Sequence, residues 1–180
     1  MKKINIIAIP ILIILSYIIL AISCSEQTQK LDNKNLDKVL TIDITIESFY
    51  AAISEKKGEF RDWELFKFLF HPDGKIILHR PDKDGNYSTI YYSADEFIKK
   101  YRNYIEKVDL HEKTIFSKVS TFGPMSHVLS GYESSEKGVE KPSRGINSFQ
   151  LLYDSERWWI INAFSSHETP NNPIPSEFFK

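Results

Sequence analysis

The sequence predicts an α+β domain in which three helices in its N-terminal half pack on a strongly bent, mostly antiparallel sheet of about six strands. Three observations carry this expectation. Apolar residues recur at helical spacing from Ile42 to Ile53, a capping box stands at Ser93-Ala94-Asp95-Glu96, and strand-like runs succeed one another without a helix from Thr114 onward. Helices of this kind need an apolar face to cover, and one bent antiparallel sheet supplies it. Wrapped around the helices, such a sheet encloses a cone with one open end.

The first helix is read from Ile42, Ile46, Phe49, Tyr50 and Ile53 and ends near Gly58. A shorter second helix starts with Asp62 as N-cap and turns Trp63, Phe66, Leu69 and Phe70 inward. Pro72-Asp73-Gly74 reads as a turn, because proline fixes φ and glycine relaxes it. Lys75 to Arg80 and Tyr87 to Tyr92 form a hairpin around a longer loop. Phe97, Ile98, Tyr101, Tyr104 and Ile105 then mark the third helix. Four strands come after it, at Thr114–Thr121, Met125–Glu133, Gly145–Tyr153 and Trp158–Ser165, with turns at Phe122-Gly123-Pro124 and Asp154–Arg157. The tail carries Pro170, Pro173 and Pro175 and is expected to lie extended on the surface.

This order of elements resembles the NTF2-like (SnoaL-like) superfamily. Gly123-Pro124-Met125-Ser126-His127-Val128-Leu129-Ser130-Gly131-Tyr132-Glu133 is similar to the strand that these proteins carry after a glycine turn. Arg144 to Tyr153 and Arg157-Trp158-Trp159-Ile160 resemble the last hairpin of bacterial nuclear transport factor 2 family proteins, and Asn171-Asn172-Pro173-Ile174-Pro175 resembles their usual ending. The resemblance covers the chain from about residue 40 and implies an NTF2-like cone. It names no activity. Its enzymes (ketosteroid isomerases, dehydratases, epoxide hydrolases, polyketide cyclases) use Asp, His or Tyr pointing into the cone, and none of their motifs maps onto this chain residue by residue.

Ahead of the domain, Met1-Lys2-Lys3 precedes an uncharged run from Ile4 to Ser23 dominated by Ile and Leu. A basic head, an apolar stretch and small residues before a boundary read as a secretory signal over 1–23. A run of about 20 apolar residues also suffices to span a bilayer, so a retained anchor is the alternative. Ala21-Ile22-Ser23-Cys24 resembles the lipobox of bacterial lipoproteins, with Ile22 where a smaller residue is usual, which implies acylation of Cys24. Residues 25–38 hold no aromatic residue and read as a polar tether with a reach of about 20 Å. The expected organisation is signal 1–23, lipidated Cys24 with tether to 39, domain 40–168 and tail 169–180. Its address is the cell envelope, facing the periplasm or the cell exterior.

Cys24 is the sole cysteine, so its acylation leaves no thiol for a disulfide or for catalysis. Without residues 1–23 the chain loses two lysines, leaving 21 basic against 24 acidic residues and a net charge near −3. No Lys/Arg run of the kind that binds nucleic acid is present, which sets that class aside.

Asp73, Asp95 and Asp154 each have a turn or cap to explain them. None of His71, His79, His111, His127 and His167 shows metal-ligand spacing, since His111-Glu112 is followed by Lys113 and Thr114. No cofactor is expected. His127, mid-strand beside the glycine turn, is the one candidate for acid–base work. Pocket candidates are Trp63, His127, Tyr132, Arg144, Asn147, Gln150 and Trp159. Strand alternation puts Arg144, Ser148 and Gln150 on one face, and Asn147 with Phe149 and Leu151 on the other. Either set can line a pocket, leaving the other on an outer face suited to pairing as a homodimer.

The leading functional expectation is a membrane-tethered domain that binds a small apolar ligand or a protein partner. The alternatives are a lyase, isomerase or cyclase acting on a hydrophobic small molecule, and a structural dimerisation module with a filled interior.

Overall fold

The computed structural model describes residues 34–81 and 86–179. The segment read as a signal (1–23), Cys24 with its expected acylation, the part of the expected tether up to residue 33, and residues 82–85 therefore lie outside the described residues. Asp37–Lys180 form one compact unit. Among the described residues, no helix is long and apolar enough to cross a membrane.

Helix α1 spans Ile42–Ile53, with the Thr41 hydroxyl accepting from the Ile44 amide at 3.2 Å as N-cap. It buries Ile46, Phe49, Tyr50 and Ile53, the periodic residues of the sequence. It stops short of Gly58 because Ser54 is extended and Arg61 takes over its C-terminal carbonyls. The Arg61 guanidinium donates to the carbonyls of Ile53 (3.1 Å), Glu55 (2.7 Å) and Val108 (2.7 Å) and is fully buried. Helix α2, Trp63–Leu69, is capped by Asp62, whose carboxylate accepts from the Leu65 amide at 2.8 Å. Helix α3, Ala94–Ile105, opens on the expected capping box. The Glu96 amide donates to the Ser93 hydroxyl at 3.2 Å and the Ser93 amide to the Glu96 carboxylate at 2.7 Å.

The strands are β1 (Phe70–Pro81), β2 (Tyr87–Tyr92), β3 (Leu110–Phe122), β4 (Met125–Glu136), β5 (Ser143–Tyr153) and β6 (Trp158–His167), in spatial order β2-β1-β6-β5-β4-β3. All neighbours are antiparallel except β1 and β6. The predicted turn at Pro72-Asp73-Gly74 is absorbed into β1 as an irregularity between Phe70 and Lys75. A side chain at Gly74 would overlap the carbonyls of His71 and Ile160, which is why glycine stands there.

The expected strong bend into a cone is not what the chain forms. The six strands make an open sheet whose edges, β2 and β3, do not pair with each other. Register shifts at Thr114/Phe116 and Gln150/Leu151 bend single strands locally. Closure requires the first and last strands to meet, and local bulges do not bring that about.

The core lies between the helices and one sheet face. Phe49 packs edge-on against Phe149 with ring centres 5.0 Å apart, and Phe66 reaches Phe70 and Phe97, each at 5.3 Å. The two ends of the sheet differ in what they gather. At one, the β3–β4 hairpin closes at Phe122 and Met125, and the Tyr153 amide donates to the Pro124 carbonyl at 2.8 Å. The Trp158 amide there donates to the Val39 carbonyl at 2.9 Å, so the chain enters the domain at this hairpin end. The other end gathers Leu110, Glu136, Ser143, His167 and Arg80. The tail returns along the domain, with Glu168 accepting from Arg144 at 2.8 Å, and its last turn, Ser176–Phe179, sets Phe178 and Phe179 against Phe116.

Candidate functional site

At the end opposite the hairpin, α1, α2 and α3 leave the helix-facing side of the sheet incompletely filled. A pocket of about 250 Å³ opens there. Its floor is apolar, from Phe49, Phe66, Phe97, Ile76, Leu78 and Ala163, and its wall and rim are polar, from Arg80, Glu112, Tyr132, Ser134, Asn147 and His167.

Tyr132 on β4 and His167 on β6 face each other, with the phenol oxygen 2.7 Å from His167 Nδ1. Burial pushes the Tyr132 pKa up, so its hydroxyl stays protonated. Burial, and then the charge of Arg80, push the His167 pKa down, favouring the neutral imidazole. Glu112 enters from β3, its amide bound to the Ser54 hydroxyl at 2.8 Å. The residue keeps some accessible area, yet desolvation of its carboxyl inside the pocket raises its pKa, against the opposing pull of Ser134 and Arg80. Among the described residues, Arg80 forms no ion pair within 4 Å and stands at the mouth as a single cation. Deeper, Asn147 Nδ2 donates to the Tyr50 hydroxyl at 3.1 Å, and that hydroxyl lies 2.9 Å from Ser130 Oγ. Burial pushes Tyr50 up to about 12.

The arrangement offers an apolar cavity with a neutral imidazole, a phenol and a carboxyl poised nearer neutrality along one wall. These groups can hydrogen-bond the polar end of a ligand or move a proton. Among the described residues, no group of three His, Cys, Asp or Glu side chains is placed to hold a metal ion.

Of the residues singled out in the sequence, the pocket brings together Tyr132 and Asn147. Trp63 is buried in the core, donating from Nε1 to Glu106 at 2.9 Å. His127, Arg144, Gln150 and Trp159 lie elsewhere. His127 Nε2 lies 2.9 Å from Ser148 Oγ on the outer face, and with Gln150 it borders a shallow groove beside Phe122 and Met125. Arg144 pairs with Glu168, and Trp159 donates to Asp154 while the Arg157 guanidinium lies 3.6 Å over its ring. So on β5 the set with Asn147, Phe149 and Leu151 faces the helices, and the set with Ser148 and Gln150 faces out.

Among the pocket residues not singled out are Arg80, Glu112 and His167. Glu112 lies two residues before the start assigned to its strand, which in fact begins at Leu110. Alternation counted from Leu110 would have placed it inside. Arg80 and His167 occupy strand ends, where sequence pattern carries no facing.

The chain matches no family model and no curated protein. Solved structures do resemble it. A protein of unknown function with a cystatin-like fold from Nostoc punctiforme is 11% identical, covers 73% of this chain and 96% of its own, and superposes with a TM-score of 0.53. An uncharacterised protein with a cystatin-like fold from Caulobacter vibrioides is 12% identical, with 72% and 89% covered and a TM-score of 0.54. At these identities the likeness is one of architecture, and the fold of this chain is the NTF2-like, cystatin-like one.

Proposed function

We propose that this chain is an exported, lipid-anchored domain whose pocket holds a small apolar molecule with one polar end. The observation that carries the binding reading is the pocket itself: a continuous apolar floor under a wall of convergent polar groups. Its volume of about 250 Å³ sets the scale of the ligand. An engineered apolar cavity of about 150 Å³ takes benzene, so this one has room for a somewhat larger ring compound. A purely structural module requires a filled interior, and this interior is unfilled.

The anchoring half of the proposal rests on residues 1–38 as sequence. It comprises the apolar run, the lone Cys24 at its close and the polar tether before the domain. Acyl labelling should be lost on Cys24→Ala, and an unlabelled wild type would favour a retained membrane span instead.

Calorimetric titration with monocyclic and bicyclic compounds bearing one hydroxyl or carbonyl tests the pocket. Saturable binding should appear and should vanish when Ala163→Phe fills the floor in a chain that still unfolds cooperatively. Binding that survives Ala163→Phe, or none across the panel, would sink the reading.

The second reading is an enzyme, favoured by the raised pKa of Glu112 beside the Tyr132–His167 pair. In that reading Glu112 takes or gives the proton of a carbonyl substrate. Turnover lost in Glu112→Gln with ligand binding retained would promote it over simple binding.

A further inference from the structure

We infer that the hairpin end of the domain rests on the lipid surface, directing the pocket mouth away from the membrane. The inference depends on the anchoring reading above and adds an orientation to it.

Four observations converge on that end. The first is where the chain arrives. Val39, the last residue but one before α1's cap at Thr41, is tied to Trp158 at the β5–β6 turn, so whatever precedes the domain leaves from there. The second is the exposed apolar surface at that end. Phe122 is 82% exposed, Met125 60% and Leu40 51%, and Ile161 borders the same groove as Phe122 and Met125. Phe122 and Met125 are cross-strand partners at the tip of the β3–β4 hairpin, so the two side chains project together from the same point. Exposed apolar residues clustered at a tip call for a covering surface, whereas scattered ones do not.

The third is the opposite character of the far end. There the mouth is polar, with Arg80 and Glu136 beside His167 and the carboxyl of Glu112. The fourth is length. Strand β3, Leu110–Phe122, runs from the pocket to the hairpin tip, about 40 Å at strand rise. The tether that residues 25–38 predict has a typical end-to-end distance of about 20 Å, half that length. A domain held from its hairpin end by so short a leash presents that end to the bilayer, and its Phe, Met and Leu side chains can enter the boundary of headgroups and acyl chains. The contact is apolar, so it needs no anionic lipid. Charge at this end is carried by Asp37, Lys38, Asp154 and Glu156. Lys38 pairs with Asp37 at 3.0 Å, and the Asp154 carboxylate accepts from the amides of Glu156 and Arg157 and from the Trp159 indole.

The orientation gives the pocket a role consistent with binding a dissolved ligand. The mouth opens to the aqueous compartment, and the apolar end, which would otherwise invite association, is occupied by lipid.

The test uses the full chain in vesicles of phosphatidylethanolamine and phosphatidylglycerol. A photo-crosslinking phenylalanine analogue is placed at Phe122, at Met125 or, as far-end control, at Tyr87, which is 59% exposed. Flotation first reports whether the chain is on the vesicles. Roughly tenfold more lipid adduct at Phe122 and Met125 than at Tyr87 is expected. Equal yields at both ends in floating vesicles would overturn the orientation while leaving the anchor standing. Adducts at Phe122 to a second copy of the chain in place of lipid would also overturn it. A chain that does not float overturns the anchoring and the orientation together.

Discussion

Tyr132 and His167 meet over Gly145. The phenol of β4 and the imidazole of β6 are 2.7 Å apart although β5 runs between their strands, and Gly145 pairs with both residues. A side chain there would occupy the space the hydrogen bond crosses. It would overlap the Tyr132 hydroxyl and the Ser166 carbonyl.

Gly145→Ala should therefore do two things. Overpacking against a backbone carbonyl costs about 1–3 kcal/mol, measurable by urea unfolding. The Tyr132–His167 contact should also open, releasing the His167 ring to solvent and moving its titration, followed by NMR, upward toward its ordinary value of 6.5. An unchanged His167 titration in a folded Gly145→Ala protein would show that glycine serves strand packing alone.

Glu112 should tilt the pH profile of stability. Its pKa is raised on folding, so between its ordinary value of 4.5 and the folded value the native state binds more protons than the unfolded chain. Stability then falls as pH rises through that window. His167 acts in the opposite direction. Its folded pKa lies below 6.5, so the unfolded chain binds more protons there and stability is lost as pH falls from 6.5 toward the folded value. Glu112→Gln removes the first slope and keeps the second. The variant should be more stable than wild type at pH 7, with the advantage gone below pH 4.5. Urea midpoints across this range check it, and equal midpoints at neutral pH would contradict the buried carboxyl.

Arg61 illustrates what the sequence conceals. Its side chain is fully buried and donates to the carbonyls of Ile53, Glu55 and Val108, terminating α1 and fastening it to the segment after α3. Arg61→Met should cost roughly 3–5 kcal/mol, because several carbonyls lose a charged donor inside the protein. Arg61→Lys should recover little of it, since a single ammonium cannot reproduce the planar fork. A lysine variant as stable as wild type would show that only the charge matters.

The difference between what was and was not legible follows from the range of each interaction. Caps and amphipathic helices are local, so Asp62, Ser93-Glu96 and the buried stripe of α1 could be read directly. Alternation along β5 correctly separated Asn147 from Gln150, but the inward side depends on helices far away in sequence. His127 is mid-strand, a position from which either face is open to it, and it lies on the outer face with Ser148. The cone expectation failed because sheet curvature arises from the whole set of strand pairings, and no segment of sequence encodes whether β2 and β3 meet. Arg61 and Glu112 owe their roles to partners such as Val108 and Ser54, tens of residues away.

Asn147 reaches the core through a hydrogen-bonded chain that makes a sharper test than its own removal. Tyr50 sits at the middle, its hydroxyl taking a hydrogen bond from Asn147 and lying within bonding distance of Ser130 Oγ, which has no solvent exposure. Tyr50→Phe strands both neighbours at once, and each unsatisfied buried group costs about 1–3 kcal/mol. Ser130→Ala alone removes one partner and leaves Tyr50 still bound to Asn147, so it should cost less. In the Tyr50→Phe background Ser130→Ala should be nearly neutral, or even stabilising, because it deletes a hydroxyl that has already lost its partner. A double-mutant cycle by urea unfolding should therefore return a coupling of about 0.5–3 kcal/mol. Additive losses would mean that water replaces the missing phenol, and that the pocket is wetter at its base than its apolar floor implies.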